Sequence, residues 1–182
     1  EAVCPSSGAA MNSAQMQFRE GTVICGRYRV EQHLGAGGMG RTYLCRDIAG
    51  SHRQVAVKIL DHGAYSPEPA SASSEEFSLL RQLRHPNLVH ILDFGVMAGS
   101  ENLYLVHEWV RGKNLYSATE RMATEKIVGH MMDLAASVHY LHARGILHGN
   151  LKPPNLFLSE EGSGALRNAD FGLLRYSLKT RQ

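Results

Sequence analysis

Four glycines in six residues, Gly35-Ala36-Gly37-Gly38-Met39-Gly40, constrain this chain more than any other stretch. Without a Cβ, glycine lets the backbone come close to a ligand or to a neighbouring strand. Two arrangements place such a run beside phosphate groups. A dinucleotide-binding turn needs a strand, then the glycines, then a helix whose N-terminus holds the pyrophosphate. A glycine-rich hairpin needs a strand on each side. After Gly40 the chain reads Arg41-Thr42-Tyr43-Leu44-Cys45, with β-branched and aromatic residues and no helical stripe. Gln54-Val55-Ala56-Val57-Lys58-Ile59-Leu60 then reads as a buried strand. The glycines therefore join two strands.

The rest of the pattern is α+β. Tyr28 to Leu34 and Arg41 to Ile48 form the first hairpin, and Gln54 to Leu60 the third strand. Residues 63–71 hold two prolines and read as loop. From Ser73 or Ser74 a helix follows, with serine as cap and Glu75 and Glu76 in the first turn. Phe77, Leu80 and Leu83 lie along it at helical spacing. Asn87 to Val96 and Asn102 to Trp109 are two more strands, joined at Ala98-Gly99-Ser100. Arg111-Gly112-Lys113 reads as a linker. Residues 124–144 form a long helix with Ile127, Met131, Leu134, Ala135, Val138 and Leu141 on a broad apolar face, ended by Gly145. Short strands are expected at Leu156 to Ser159 and Leu166 to Asn168.

Composition excludes several classes. A net charge of +2 is too small to argue for nucleic acid or a membrane surface. No apolar run approaches the roughly 20 residues of a membrane span, and the first residues lack a signal-peptide pattern, so a cytoplasmic location is expected. Residues 1–20 are rich in Ser, Ala, Gln and Gly and are expected to be disordered; Met11 or Met16 could be the true start. Cys4, Cys25 and Cys45 are odd in number and widely spaced, which fits free thiols rather than a disulfide framework or a zinc site.

Further motifs follow the glycines in a fixed order. Val55-Ala56-Val57-Lys58 comes first, then Glu76, nine residues before His85-Pro86-Asn87. His148-Gly149-Asn150-Leu151-Lys152-Pro153-Pro154-Asn155 is next, and Asp170-Phe171-Gly172 closes the series. Each alone is weak; the ordered set is specific. From Tyr28 to Leu174 the chain resembles serine/threonine protein kinases of the type that bacteria share with eukaryotes, most of all in its bacterial-looking stretch from Leu34 to Asp47. The resemblance implies a protein-kinase-like fold. Residues 21–110 would form an N-lobe with a five-stranded antiparallel sheet and one helix. Residues 111–182 would form an incomplete, mainly helical C-lobe.

It also implies roles. Gly35, Gly37 and Gly40 would cover the phosphates of ATP. Lys58 would hold the α- and β-phosphates and pair with Glu76. Asp170 would bind Mg2+ between the β- and γ-phosphates, Asn155 a second Mg2+, and Lys152 would help handle the transferred phosphate. Thr42, Ala56 and Phe157 would line the adenine slot, Glu108 and Val110 would offer backbone groups to the adenine edge, and His107 would guard the pocket behind it. His148 would be structural, stacked under Phe171 in a column with Leu80 and Ile91. ATP and Mg2+ are the implied cofactors, and a protein substrate or protein partner is implied without its identity.

Two departures bear on the chemistry. Where the family writes H-R-D, this chain writes His148-Gly149-Asn150. The Asp accepts the proton of the attacking hydroxyl; a carboxamide is not a useful base at neutral pH. The missing Arg, at Gly149, normally pairs with a phosphorylated activation segment. The sequence ends at Gln182, before the A-P-E motif and peptide platform of the family, which would leave the 124–144 helix with an uncovered apolar face. Two readings stay open. One is a binding module, a pseudokinase that holds Mg-ATP and signals through a partner. The other is a serine/threonine protein kinase, weak here or active in a longer parent.

Overall fold

The computed structural model describes residues 17–60, 77–98, 100, 102–161 and 164–171. The chain divides into two units, Glu1–Arg81 with Ile91–Trp109, and Gln82–His90 with Val110–Gln182.

The first unit is built around β4 (Gln54–Leu60), the strand with the densest apolar pattern. Flanking it are β1 (Val23–Ile24), β2 (Tyr28–Gly37), β3 (Gly40–Asp47), β5 (Ile91–Val96) and β6 (Leu103–Glu108). They form a six-stranded sheet in the order β1-β2-β3-β4-β6-β5, antiparallel throughout. The sequence predicts five. The extra strand, β1, has two residues and no alternation of its own; it exists because a tight turn at Cys25 and Gly26, both at positive φ, folds it onto β2. β2 also runs past Leu34, pairing Gly35 with Thr42 and Gly37 with Gly40. Glycine weakens a strand locally, but a full ladder with β3 outweighs that preference. One face of the sheet buries Tyr28, Val30, Tyr43, Cys45, Val55, Val57, Ile59 and Val106 together. Burial pushes the Cys45 thiol up to about 12, which makes it inert, as expected. Residues 77–82 are helical (α1), and Phe77 stacks on Phe94 at 4.7 Å between ring centroids. The start of the predicted helix, Glu76 included, lies outside the described residues.

A charged knot ties β2, β3 and β5 of this unit. Arg27 donates from Nε and Nη2 to the two oxygens of Asp47, both at 2.9 Å, and from Nη1 to Asp93 at 3.3 Å. The Tyr28 hydroxyl donates to Asp93 at 2.7 Å. Asp47 is buried and also accepts from the N–H groups of Ala49 and Gly50, so none of its polar capacity is wasted.

The second unit has a three-stranded sheet, β7 (Gly112–Asn114), β8 (Leu156–Ser159) and β9 (Leu166–Asn168), with helices α2 (Leu115–Thr119) and α3 (Thr124–His142). β8 and β9 match the sequence reading; β7 and α2 replace the predicted linker. Gly112 pairs opposite Ser159, where a Cβ would come 2.0 Å from the Leu158 oxygen, so glycine here marks a close strand approach rather than a loop. Asn114 caps α2 by accepting from the Ser117 N–H. Leu115, Leu156, Leu158 and Leu166 form the core of this unit. Residues 87–89, read from sequence as the start of β5, bind β9 instead: Asn168 donates its N–H to the Asn87 carbonyl and accepts from the Val89 N–H, both at 2.8 Å.

The apolar face of α3, expected to be uncovered, is largely exposed. Of its residues only Ser137 and Leu141 are buried, while Val128, Met131 and Met132 are exposed. Ile127, Leu134 and Val138 are half-buried. Periodicity marked the helix but not which of its side chains find neighbours. Among the described residues no helix is long and apolar enough to cross a membrane.

Hydrogen bonding to the Arg27 guanidinium holds the Asp47 carboxylate at about 2, well below its ordinary range. A folded-state value below the unfolded one gives stability that is present above the unfolded value and lost as pH falls through the folded one. Thermal unfolding is therefore expected to be level above about pH 4.5 and to decline between about 4 and 2. Asp47→Asn should start about 1–3 kcal/mol lower and decline less steeply, measured by circular dichroism melts. An identical pH profile in the variant would refute this assignment.

Candidate functional site

In the first unit, strand alternation sends Val55, Val57 and Ile59 into the core and Ala56 and Lys58 to the opposite face. Residues directly opposite in an antiparallel ladder share a face. Lys58 lies between Thr42 and Leu105, and Thr42 lies opposite Gly35. Gly35, Thr42, Lys58 and Leu105 thus form one row across the sheet. Leu44, Ala56 and His107 form the next row. Lys58 is only 6% exposed, a position an ammonium holds when anionic groups are at hand.

The glycines of the hairpin differ from one another. A Cβ on Gly35, Gly37 or Gly38 would meet nothing within 4 Å. Their backbone is open to an incoming group. Gly40 has φ +126, and a Cβ there would sit 1.8 Å from the Ile59 carbonyl oxygen. Gly40 therefore has a structural reason to be glycine, while Gly38, absent from the predicted set, belongs to the open group.

At the end of β6, His107 places Nδ1 2.9 Å from the Glu108 carbonyl. A carbonyl only accepts, so Nδ1 carries the proton.

The second unit holds the loop from His148 to Asn155. Pro153, Pro154 and Asn155 form a 3-10 turn, and Asn155 donates its N–H to the Lys152 carbonyl at 2.9 Å. Proline suits the first turn because its missing N–H would have had no partner there. The Lys152 side chain is exposed. Asn155 is buried; its Nδ2 donates to the Asn150 carbonyl at 2.7 Å, and its own carbonyl accepts from the Ala169 N–H at 2.8 Å. Asp170 follows with φ +59, an uncommon conformation for a residue with a Cβ and one often kept at functional positions. Gly149 has φ +74, which glycine adopts without steric cost. Phe157 lies on β8 between Leu156 and Leu158, so alternation turns it away from the leucine core. Val110 is half-buried at the start of this unit.

His148 is 4% exposed. Phe171 meets its ring edge-on at 6.3 Å and 71°, not in the stacked arrangement expected. Burial pushes the imidazole below its ordinary pKa, against smaller opposing effects from Asn168 and Asp170. It is therefore a neutral ring at pH 7. Its Nε2 lies 2.5 Å from Asn168 Oδ1, and Asn168 Nδ2 donates to Ser137 Oγ at 3.3 Å. Asn168 and Ser137 are fully buried, and the sequence reading missed both. The available signal was Asn168 itself, a polar residue at an inward strand position two before Asp170.

A family profile described as a protein kinase domain matches residues 28–181. CBL-interacting serine/threonine-protein kinase 12 of Arabidopsis thaliana is 37% identical over 163 residues, 88% of this chain and 32% of that protein. Serine/threonine-protein kinase pkn2 of Myxococcus xanthus is 36% identical over 157 residues, 84% of this chain and 19% of that protein. The chain thus spans a third or less of these curated relatives. In fold it is similar to the Mycobacterium tuberculosis PknI kinase domain, with a TM-score of 0.71, 23% identity, and coverage of 86% of this chain and 64% of that one.

The two kinds of glycine should separate in stability. Gly40→Ala is expected to cost about 2 kcal/mol or more, because both φ and the Ile59 carbonyl oppose a Cβ. Gly37→Ala should change stability by less than about 0.5 kcal/mol. Urea titration of both variants decides; equal losses would show that the hairpin glycines are structurally alike.

Proposed function

The chain belongs to the protein kinase family, and we propose that it binds Mg-ATP and transfers phosphate to protein weakly or not at all. The observation that carries the reading is Asn150: its peptide is hydrogen-bonded at both its N–H and its carbonyl, while the group at the position of the general base is a carboxamide. The residues that would hold the nucleotide are all present.

In this reading the open backbone of Gly35, Gly37 and Gly38 approaches phosphate oxygens, and the buried Lys58 ammonium balances the α- and β-phosphates. Thr42 and Ala56 of the first unit would face the base and Glu108 would offer it backbone groups; the roles of Phe157 and Val110, in the second unit, rest on the family resemblance alone. Among the described residues no three His, Cys, Asp or Glu side chains gather into a metal cluster. Mg2+ needs no such cage; it takes one or two protein oxygens and completes its shell with phosphate and water. The donor set fits. Asn155 commits its amide to the Asn150 carbonyl, which leaves its oxygen as the ligating end, and Asp170 adds a carboxylate. Bound there, Mg2+ would neutralise charge on the phosphates.

Asn150 can accept a hydrogen bond from a hydroxyl but does not take its proton, which should cost about 10²–10⁴-fold in rate. Gly149 removes the Arg that would read a phosphorylated activation segment, so activation by that route is not part of the reading. A protein partner, rather than a phosphorylated product, is then the output, in a cytoplasmic setting. The alternative, an active serine/threonine kinase in a longer protein, is favoured by the relatives, all of which extend well beyond the matched region.

Binding is tested by thermal shift with ATP, with Mg2+, and with both. At a ligand concentration of 100 Kd the stabilisation should be about 2.7 kcal/mol, and Lys58→Met should remove it. No shift with both ligands at millimolar concentration would end this proposal. Catalysis is tested by Asn150→Asp, in this chain and in a form extended through a complete kinase domain, with a generic basic protein as substrate. The extended form should gain about 10²-fold or more. If the extended Asn and Asp forms are equally fast, Asn150 is no lesion.

A further inference from the structure

Asn168 occupies the last inward position of β9, where Leu166, two residues earlier, is fully buried. A branched aliphatic residue would serve the packing there. An amide instead has to satisfy both of its ends without water. It does so by completing a chain of bonds whose direction is set by backbone groups at its two termini. At one terminus Ser137 Oγ lies 2.8 Å from the Leu134 carbonyl, which can only accept. The Ser137 hydroxyl therefore donates, and its oxygen accepts from Asn168 Nδ2. That turns Asn168 Oδ1 toward His148, so His148 Nε2 carries the proton. The Nδ1 lone pair is then left for the other terminus, the Asn150 N–H at 3.3 Å. One amide orientation and one tautomer satisfy every member.

The chain also closes a ring. Asn155 Nδ2 donates to the Asn150 carbonyl, and Ala169, next to Asn168, donates to the Asn155 carbonyl. The circuit runs Asn168, His148, Asn150, Asn155, Ala169. The two residues assigned to Mg2+ stand in it or beside it: Asn155 is a member, and Asp170 follows Ala169.

We propose that Asn168 is a positioning residue for the metal-bound nucleotide: through His148 it locks the Asn150 peptide, and so sets the placement of the Asn155 oxygen relative to Asp170. Ser137 anchors the arrangement to α3. The role rests on the Mg-ATP reading above. It is specific in its consequence, because the phosphate contacts of the first unit do not pass through this ring. Losing Asn168 weakens the contribution of Mg2+ to binding more than the binding of nucleotide itself.

The test is the ratio of ATP dissociation constants without and with Mg2+, from calorimetric titration, beside the melting temperature of the ligand-free protein. Asn168→Leu should lower that ratio about tenfold, the scale on which residues behind metal ligands act. A purely packing role would lower the melting temperature and weaken both affinities in proportion, leaving the ratio intact; that result overturns the proposal. Should Asn168→Leu fail to fold, Ser137→Ala decides: it keeps the Asn168–His148 bond but removes the anchor, and should lower the ratio by about threefold. An unchanged ratio there refutes the role. Proton–nitrogen NMR of the ligand-free wild type gives a second readout, with His148 expected as the Nε2–H tautomer alone; the Nδ1–H form or a mixture would contradict the bond directions. A wild type that binds no nucleotide under either condition ends both this role and the Mg-ATP reading. A wild type with a clear Mg2+ effect that the variants share ends only this one.

Discussion

Ala169 donates its backbone N–H to the Asn155 carbonyl at 2.8 Å, and through that bond the two ends of the β8–β9 hairpin become one platform. On one side is a 3-10 turn opened by two prolines; on the other is the end of β9, itself pinned by residues 87–89. Neither segment is long enough to hold a shape by itself. Together they set two oxygen-bearing side chains, Asn155 and Asp170, on a backbone with few remaining degrees of freedom. Asp170, with its positive φ, directly follows the peptide that this bond holds.

The first unit solves a different problem, that of burying an ammonium in a sheet. β4 is paired on both edges, so a one-residue slip would exchange Lys58 with Val57 or Ile59 and bring the charge into the apolar cluster. Register is therefore strongly determined, and the hydrophobic core itself keeps Lys58 on the face it shares with Gly35 and Thr42. The same ladder explains the glycine hairpin. At Gly40 the strands come so close that a Cβ is excluded, while three residues earlier the backbone is bare. Rigid base and open tip are properties of one hairpin.

At Gly149 and Asn150 the loop is held through its backbone. Position 150 serves the fold through its peptide, whose N–H goes to His148 and whose carbonyl goes to Asn155. Neither bond involves the carboxamide. Gly149, at φ +74, adopts its conformation more readily than a residue with a Cβ would. The backbone bonds of this loop do not themselves call for a carboxylate at position 150, nor its backbone conformation for a Cβ at position 149.

Local chemistry made much of this legible without coordinates. The apolar run of β4 and the short stretches of β8 and β9 were placed by sequence at their observed bounds, and the β-type residues after Gly40 identified the glycine run as a hairpin rather than the start of a helix. The ordered motifs named the family, because order and spacing report a three-dimensional constraint that single motifs do not. What stayed hidden depends on partners far along the chain. β1 and β7 have two and three residues and exist only because a neighbouring strand pairs with them. The apolar stripe of α3 gave its helical period, but only packing decides that Ser137 is buried while Met131 and Met132 face outward. Gly40 and Gly37 are the same letter until the Ile59 carbonyl distinguishes them. Asn168 and Ser137 lie 31 residues apart, and each is an ordinary polar residue alone. The sequence determined which groups were available and the period on which they faced one another; the tertiary structure decided which polar groups share one buried space, because a hydrogen bond without water must find its partner wherever the fold brings one.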